Sequence, residues 1–209
     1  MQAEVRLPGS AGRAAEQSVV HGCRLVSMDS VSVSEPAEYL SALTFDQLTA
    51  FAERPGRHRG ELEGVREISA LRAYRSEDGL GPAERKQWAK LSLRVNARLH
   101  GDGPREQARM AQNDFMLRAW IIDRFGPDAQ DPDWDPDVLA ADTLAELTLS
   151  PAEAGALGTR WRALPAEQIG ELRRLKNLTG HLDLIIGHLR PGRSRDQLQE
   201  WLAVRPLLP

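Results

Sequence analysis

From Ser34 onward, apolar residues recur every three or four positions, and proline or glycine closes most of the runs. That spacing confines this part of the chain to helices, because a helix returns to one face every 3.6 residues and a strand every two. The run "DQLTAFAER" stops at Pro55-Gly56, and Leu62, Val65, Ile68, Leu71 and Tyr74 then share a face in a helix that ends before Gly79 and Gly81. Pro82 opens a third helix with Trp88, Leu91, Val95 and Leu99 in one stripe. Pro104 opens a fourth, with Ala108, Ala111, Phe115, Ile122 and Phe125 aligned, and Gly126-Pro127 stops it. Further helices are expected over 136–148, 151–157, 165–189 and 195–204. In the long one, Leu172, Leu175, Leu178, Leu182, Ile185 and Leu189 have the spacing of a seam against another helix.

Local chemistry supports the helix starts. Thr44 with Gln47, Ser150 with Glu153, and Ser194 with Gln197 each have capping-box spacing: a hydroxyl accepts from the third helical amide while the longer side chain reaches back. Pro151 sits at the first helical position, where its missing N–H costs nothing.

The N-terminal part reads differently. Residues 1–18 are rich in Gly, Ala, Ser and charge and are expected to form a flexible arm. "VVHGCRLVSMDSVSVS" alternates with period two, most clearly at Val31 and Val33, which predicts one strand or a short hairpin. An isolated hairpin is marginal in water, so this one needs the helical body or a partner to pack on. The expected fold is therefore mainly α, a multi-helix bundle of about seven or eight helices with a short N-terminal β-strand or hairpin. A strand-plus-helix region over 19–126 and a helical region over 138–209 flank an acidic Pro/Asp linker at 127–137, "PDAQDPDWDPD", and these two regions form either one continuous domain or two.

The 209 residues suffice to bury a core, and 41% hydrophobic with 27% charged is ordinary for a globular protein. A net charge of −3 argues against coating nucleic acid by bulk charge. One cysteine, Cys23, excludes an internal disulfide and any multi-cysteine zinc site. No apolar run spans a bilayer and none resembles a secretory leader, so the expected setting is cytoplasmic, with no membrane association.

Several patterns touch on chemistry. Asp131, Asp133, Asp135, Asp137 and Asp142 fall at positions one, three, five, seven and twelve of a calcium loop. Pro136, however, occupies the sixth position, where the turn requires glycine, and the twelfth is Asp rather than Glu. The plainer reading is that Asp135 caps a helix begun by Pro136. Trp134 in that acidic stretch either folds onto the core or anchors a partner. From Ser150, "SPAEAGALGTRWRALPAEQI" has small residues where a helix-turn-helix needs them, with a second helix from Thr159 carrying Arg160, Trp161 and Arg162; Pro165 interrupts it early. Residues 154–209 hold nine Lys/Arg against five Asp/Glu, a net +4. His181 and His188, seven apart, stand about 10 Å apart along a helix, too far to share an ion, so no metal site is expected. Asp114 and Arg118 have the order of a surface i, i+4 ion pair. There is no phosphate loop and no nucleophile elbow, so an enzyme is disfavoured, and no cofactor is implied.

One hexapeptide is written almost twice, "RPGRHR" at 54–59 and "RPGRSR" at 190–195. Arg54 and Arg190 suit a helix's last turn, and Pro-Gly stops it. Arg57, Arg59, Arg193 and Arg195 then stand near the start of the next helix, where positive charge is disfavoured unless an anion or a carboxylate answers it. The function class that follows is a helical protein-interaction module (adaptor, regulator or subunit, partnered or homo-oligomeric) with Trp134, Val31 and Val33 as contact residues. The alternative is a nucleic-acid-binding regulator using 150–205 and the two corners, with Arg57, Arg59, Arg160, Arg162, Arg193 and Arg195 as its contacts. An enzyme would need a pocket that gathers polar residues from several helices.

Overall fold

The computed structural model describes residues 39–75, 79–99 and 103–209. They belong to one compact unit that spans Ser34–Pro209. The strand expected around Val31 and Val33, and Cys23 with it, lies outside the described residues, among which the structure is mainly helical with no strand.

Among the described residues nine α-helices run from Phe45 onward: α1 (Phe45–Glu53), α2 (Arg59–Tyr74), α3 (Pro82–Arg98), α4 (Pro104–Phe125), α5 (Pro136–Glu146), α6 (Pro151–Gly158), α7 (Ala166–Leu178), α8 (Leu182–Ile185) and α9 (Arg193–Val204). Four open on proline, at Pro82, Pro104, Pro136 and Pro151. The capping boxes at Thr44 and Ser150 form as spaced: Gln47 N–H donates to Thr44 Oγ1 at 3.3 Å, and Glu153 N–H to Ser150 Oγ at 3.3 Å. The third box does not form. Gly192, at φ 156°, takes the N-cap place and α9 starts at Arg193, so Ser194 is already helical. Only glycine enters that region of backbone space at little cost, which is why the cap moves two residues upstream.

The helix expected over 165–189 is broken. α7 ends at Leu178, and α8 is a four-residue helix between two 3-10 turns, Thr179–His181 and Ile186–His188. The Thr179 hydroxyl donates back to the Leu175 carbonyl at 2.9 Å and lies 3.2 Å from that of Lys176, a competing bond that tightens the turn.

α2 and α3 pack as an antiparallel hairpin, tied by one buried side chain. The Arg85 guanidinium donates to the Arg72, Ala73 and Arg75 carbonyls at the end of α2 and, through Nε, to the Leu80 carbonyl at 3.0 Å. An arginine from the next helix thus satisfies carbonyls that α2 cannot satisfy itself. The long α4 lies at the centre, in contact with α3, α5, α7 and α8. Leu117, Ala119, Ile121 and Ile122 are buried around much of its circumference. α9 closes the C-terminal side against α5 and α6, where Gly155 and Gly158 let Val204 and Leu207 approach closely.

Candidate functional site

The acidic stretch is folded down rather than left as an exposed strap. Asp131 and Asp135 each accept from the amide two residues on, at 3.3 and 2.8 Å; the first turns the chain into the 3-10 turn Pro132–Trp134 and the second caps α5. Arg118 on α4, only 9% exposed, holds the turn from beneath: it donates to the Pro132 carbonyl at 3.0 Å, the Asp133 carbonyl at 3.2 Å and the Asp142 carboxylate at 2.6 Å. Lys90 reaches Asp131 at 2.6 Å and Asp133 at 3.5 Å, and Arg190 pairs with Asp137. The aspartates with calcium-loop spacing are thus divided among three different cations. Trp134 is 1% exposed and belongs to the core, so it presents no surface to a partner in this fold.

The arginines of the repeated corner divide as well. Arg57 lies over the Phe51 ring, 3.7 Å from its centre, and pairs with Glu61 at 3.0 Å. Arg59 pairs with Glu63 at 3.0 Å and Glu106 at 2.5 Å, so its guanidinium is held still more firmly protonated. Arg193 and Arg195 have no acidic partner among the described residues, and they occupy the first and third positions of α9. Arg160 and Arg162 are exposed, with Arg162 beside the Trp161 ring at 5.3 Å. No helix starts at Thr159: α6 ends at Gly158 and a single 3-10 turn, Trp161–Ala163, follows. The second helix of a helix-turn-helix is therefore missing. Arg160 and Arg162 follow the end of α6 that meets Leu207 and Leu208 beyond the C-terminal end of α9, away from Arg193 and Arg195 at its start.

What does converge is a group that the sequence pattern placed apart. An open groove of about 520 Å³ lies between α3, α4 and α5. Leu93, Ala97, Ala111, Phe115 and Ala145 form its apolar lining, while Arg94, Asp133, Asp142 and Glu146 stand around it with Asp114 and Arg118. The expected Asp114–Arg118 ion pair is not made. Arg118 turns to the 132–133 carbonyls and Asp142, and Asp114 instead accepts from the Asn96 side-chain amide at 2.7 Å. Asn96, 1% exposed, also donates to the Met110 carbonyl at 3.2 Å and accepts from Arg66 at 3.4 Å, which fixes its orientation.

Among the described residues, Asp142 has Arg118, Asp133 has Lys90, and Glu146 has Arg174 at 3.9 Å, whereas Asp114 has only the neutral amide. Burial pushes its carboxyl up to about 7; the Asn96 hydrogen bond and the Arg118 and Arg66 charges pull the other way, and Asp133 adds to the rise. A carboxyl held near neutral pH in a groove built from three helices makes this the candidate site. Beneath the groove lies a second buried titratable group. His181 Nε2 is 2.9 Å from the Thr143 hydroxyl, and its ring tilts against Phe115 with centres 5.3 Å apart. Burial first, then the Arg118 charge, lowers it to about 3, so it is neutral core.

Asn96 escaped the sequence reading, and Asp114 entered it only as half of a surface ion pair, because neither belongs to a motif. One signal was present: "DFMLRAWII" is apolar almost all round, and a charged residue inside such a helix is buried and must find partners. No protein-family model, no curated protein and no solved structure matches this chain.

Proposed function

We propose that this chain is a helical protein-interaction module whose recognition surface is the α3–α4–α5 groove, and that the groove receives a basic, partly apolar segment of a partner protein. The observation that carries this reading is the composition of the groove: an apolar floor, four carboxylates against two arginines, Arg94 and Arg118, and among those carboxylates Asp114, which has no ion-pair partner among the described residues. A lysine or arginine segment answers that arrangement, laying its aliphatic stem on the floor and its charge among the carboxylates. The test is selection from a displayed random-peptide library on the wild-type chain, with the selected peptides then measured on A111W, which fills the groove, and on E146K, which reverses its rim. The expected outcome is a consensus with a basic residue between apolar ones, and binding lost on both variants. Peptides that bind A111W and E146K as well as wild type would sink the reading.

A second reading rests on Arg193 and Arg195. Two cations with no acidic partner among the described residues, at the start of α9 beside its first backbone amides, suit a phosphate. R193E/R195E separates this nucleic-acid reading from the first: a duplex or single-stranded probe that binds the variant unchanged at low salt removes it, and a lost affinity with a shallower salt slope supports it.

A further inference from the structure

We infer that the groove seats one cationic side chain against Asp114, and that docking of this cation drives the proton off the Asp114 carboxyl. This rests on the interaction-module reading and adds the anchor residue and its coupling to pH. The geometry leaves one place for such a cation. Asp114 Oδ1 is taken by the Asn96 amide, whereas Oδ2 has no hydrogen-bond donor among the described residues and the side chain lines the groove. A single oxygen offers one strong charge-assisted bond to an ammonium or guanidinium.

The surrounding charges decide the proton's fate. Arg118 and Arg66 favour the carboxylate, Asp133 opposes it, and burial keeps the acid protonated for about half the molecules at neutral pH. Arg94, Asp142 and Glu146 complete the ring of charges around the groove. An incoming cation adds a charge within hydrogen-bond reach of Oδ2 and replaces the proton there: the O–H bond breaks, the proton leaves to solvent, and the carboxylate takes the ion pair. No other reactant is needed. Asn96 is the positioning residue, since its amide holds Oδ1 and leaves Oδ2 without a donor among the described residues.

The test uses n-butylguanidinium as the probe and uncharged n-butylurea as its isostere, with the Asp114 carboxyl carbon and the Ala111 and Ala145 amides followed by NMR. In saturating butylguanidinium the Asp114 titration midpoint falls by more than about one pH unit, and in butylurea it stays. If only the ionised acid binds, affinity for the cation is about 30-fold weaker near pH 5.5 than near pH 8. D114N binds the probe weakly and without that pH dependence. A midpoint unmoved by the cation, a pH dependence retained in D114N, or no binding at either pH would each overturn the inference. Peptides selected on the groove and lost on A111W would leave the interaction-module reading standing even then, so the two fail separately.

Discussion

Asn96 donates to Asp114 across the α3–α4 interface at 2.7 Å, and the same amide nitrogen lies 3.2 Å from the Met110 carbonyl. A neutral donor is a weak answer to a carboxylate taken out of water, and the carboxyl responds by holding its proton. Its folded value near 7 stands above the ordinary 3.8, so between these two values the folded chain binds more protons than the unfolded one. Stability therefore falls as pH rises through that window, and above it the ionised acid costs the fold up to about 4 kcal/mol. D114N keeps an acceptor for Asn96 and removes the ionisation. It is expected to raise stability by roughly 2–4 kcal/mol at pH 8 and to leave it nearly unchanged at pH 4. Urea denaturation at the two pH values measures this, and an equal effect at both would mean that Asp114 is not the titrating group.

His181 contributes with the opposite sign. The Thr143 hydroxyl lies 2.7 Å from the Leu139 carbonyl and 2.9 Å from His181 Nε2, and so ties the ring to α5. The ring's folded value near 3 lies below its ordinary 6.5, and in that window the unfolded chain binds the extra proton. Stability is lost as pH drops from about 6.5 towards 3. The two windows overlap between 3.8 and 6.5, where Asp114 and His181 oppose each other. D114N is accordingly expected to expose a steeper acid loss than wild type shows. T143V, which leaves His181 Nε2 buried without its hydrogen-bond partner, is expected to cost about 1–3 kcal/mol at pH 7.

Arg118 makes the third case, because two of its bonds run to a turn that has little secondary structure of its own and a third ties that turn to Asp142 on α5. R118M keeps the aliphatic stem but abandons the Pro132 and Asp133 carbonyls and the Asp142 carboxylate. We expect a loss of roughly 2–4 kcal/mol. R118K recovers little, since an ammonium cannot span a carboxylate and two carbonyls as the planar fork does. Amide hydrogen exchange locates the effect: protection is expected to fall first at Trp134 and Leu139, whose N–H groups bond to the Asp131 and Asp135 carbonyls, and an evenly spread loss would contradict it.

What was legible in the sequence was the chemistry that acts within a few residues. Thr44 with Gln47 and Ser150 with Glu153 cap as their spacing says, and Pro82, Pro104, Pro136 and Pro151 start helices. Where a local competitor sat nearby, the reading failed. Gly192 displaced Ser194 as a cap, and the Thr179 hydroxyl helped to turn one long helix into several short pieces. The candidate groove was out of reach for a different reason. Asp114 and Arg118 are correctly spaced for each other, but the fold offers Arg118 the 132–133 carbonyls and Asp142, partners that depend on where the acidic stretch folds back. Partner choice of that kind is decided by tertiary contacts, and pairwise spacing along a helix cannot anticipate it.

Two glycines give the sharpest test of the packing. A Cβ at Gly158 would stand 2.9 Å from the Leu207 carbonyl oxygen and 3.2 Å from its carbon, and backbone cannot step aside as the end of a side chain can. G158A is therefore expected to cost roughly 1–3 kcal/mol and to loosen the C-terminal 3-10 turn, Arg205–Leu207, against α6. Gly170, exposed within α7, meets nothing within 4 Å. There the added methyl only restricts the unfolded chain and favours the helix, so G170A is expected to stabilise by about 0.5–1 kcal/mol. Thermal unfolding of the two variants side by side separates close packing from helix propensity. A G158A protein as stable as wild type would mean that α6 and the C-terminal turn do not approach as closely as these contacts require.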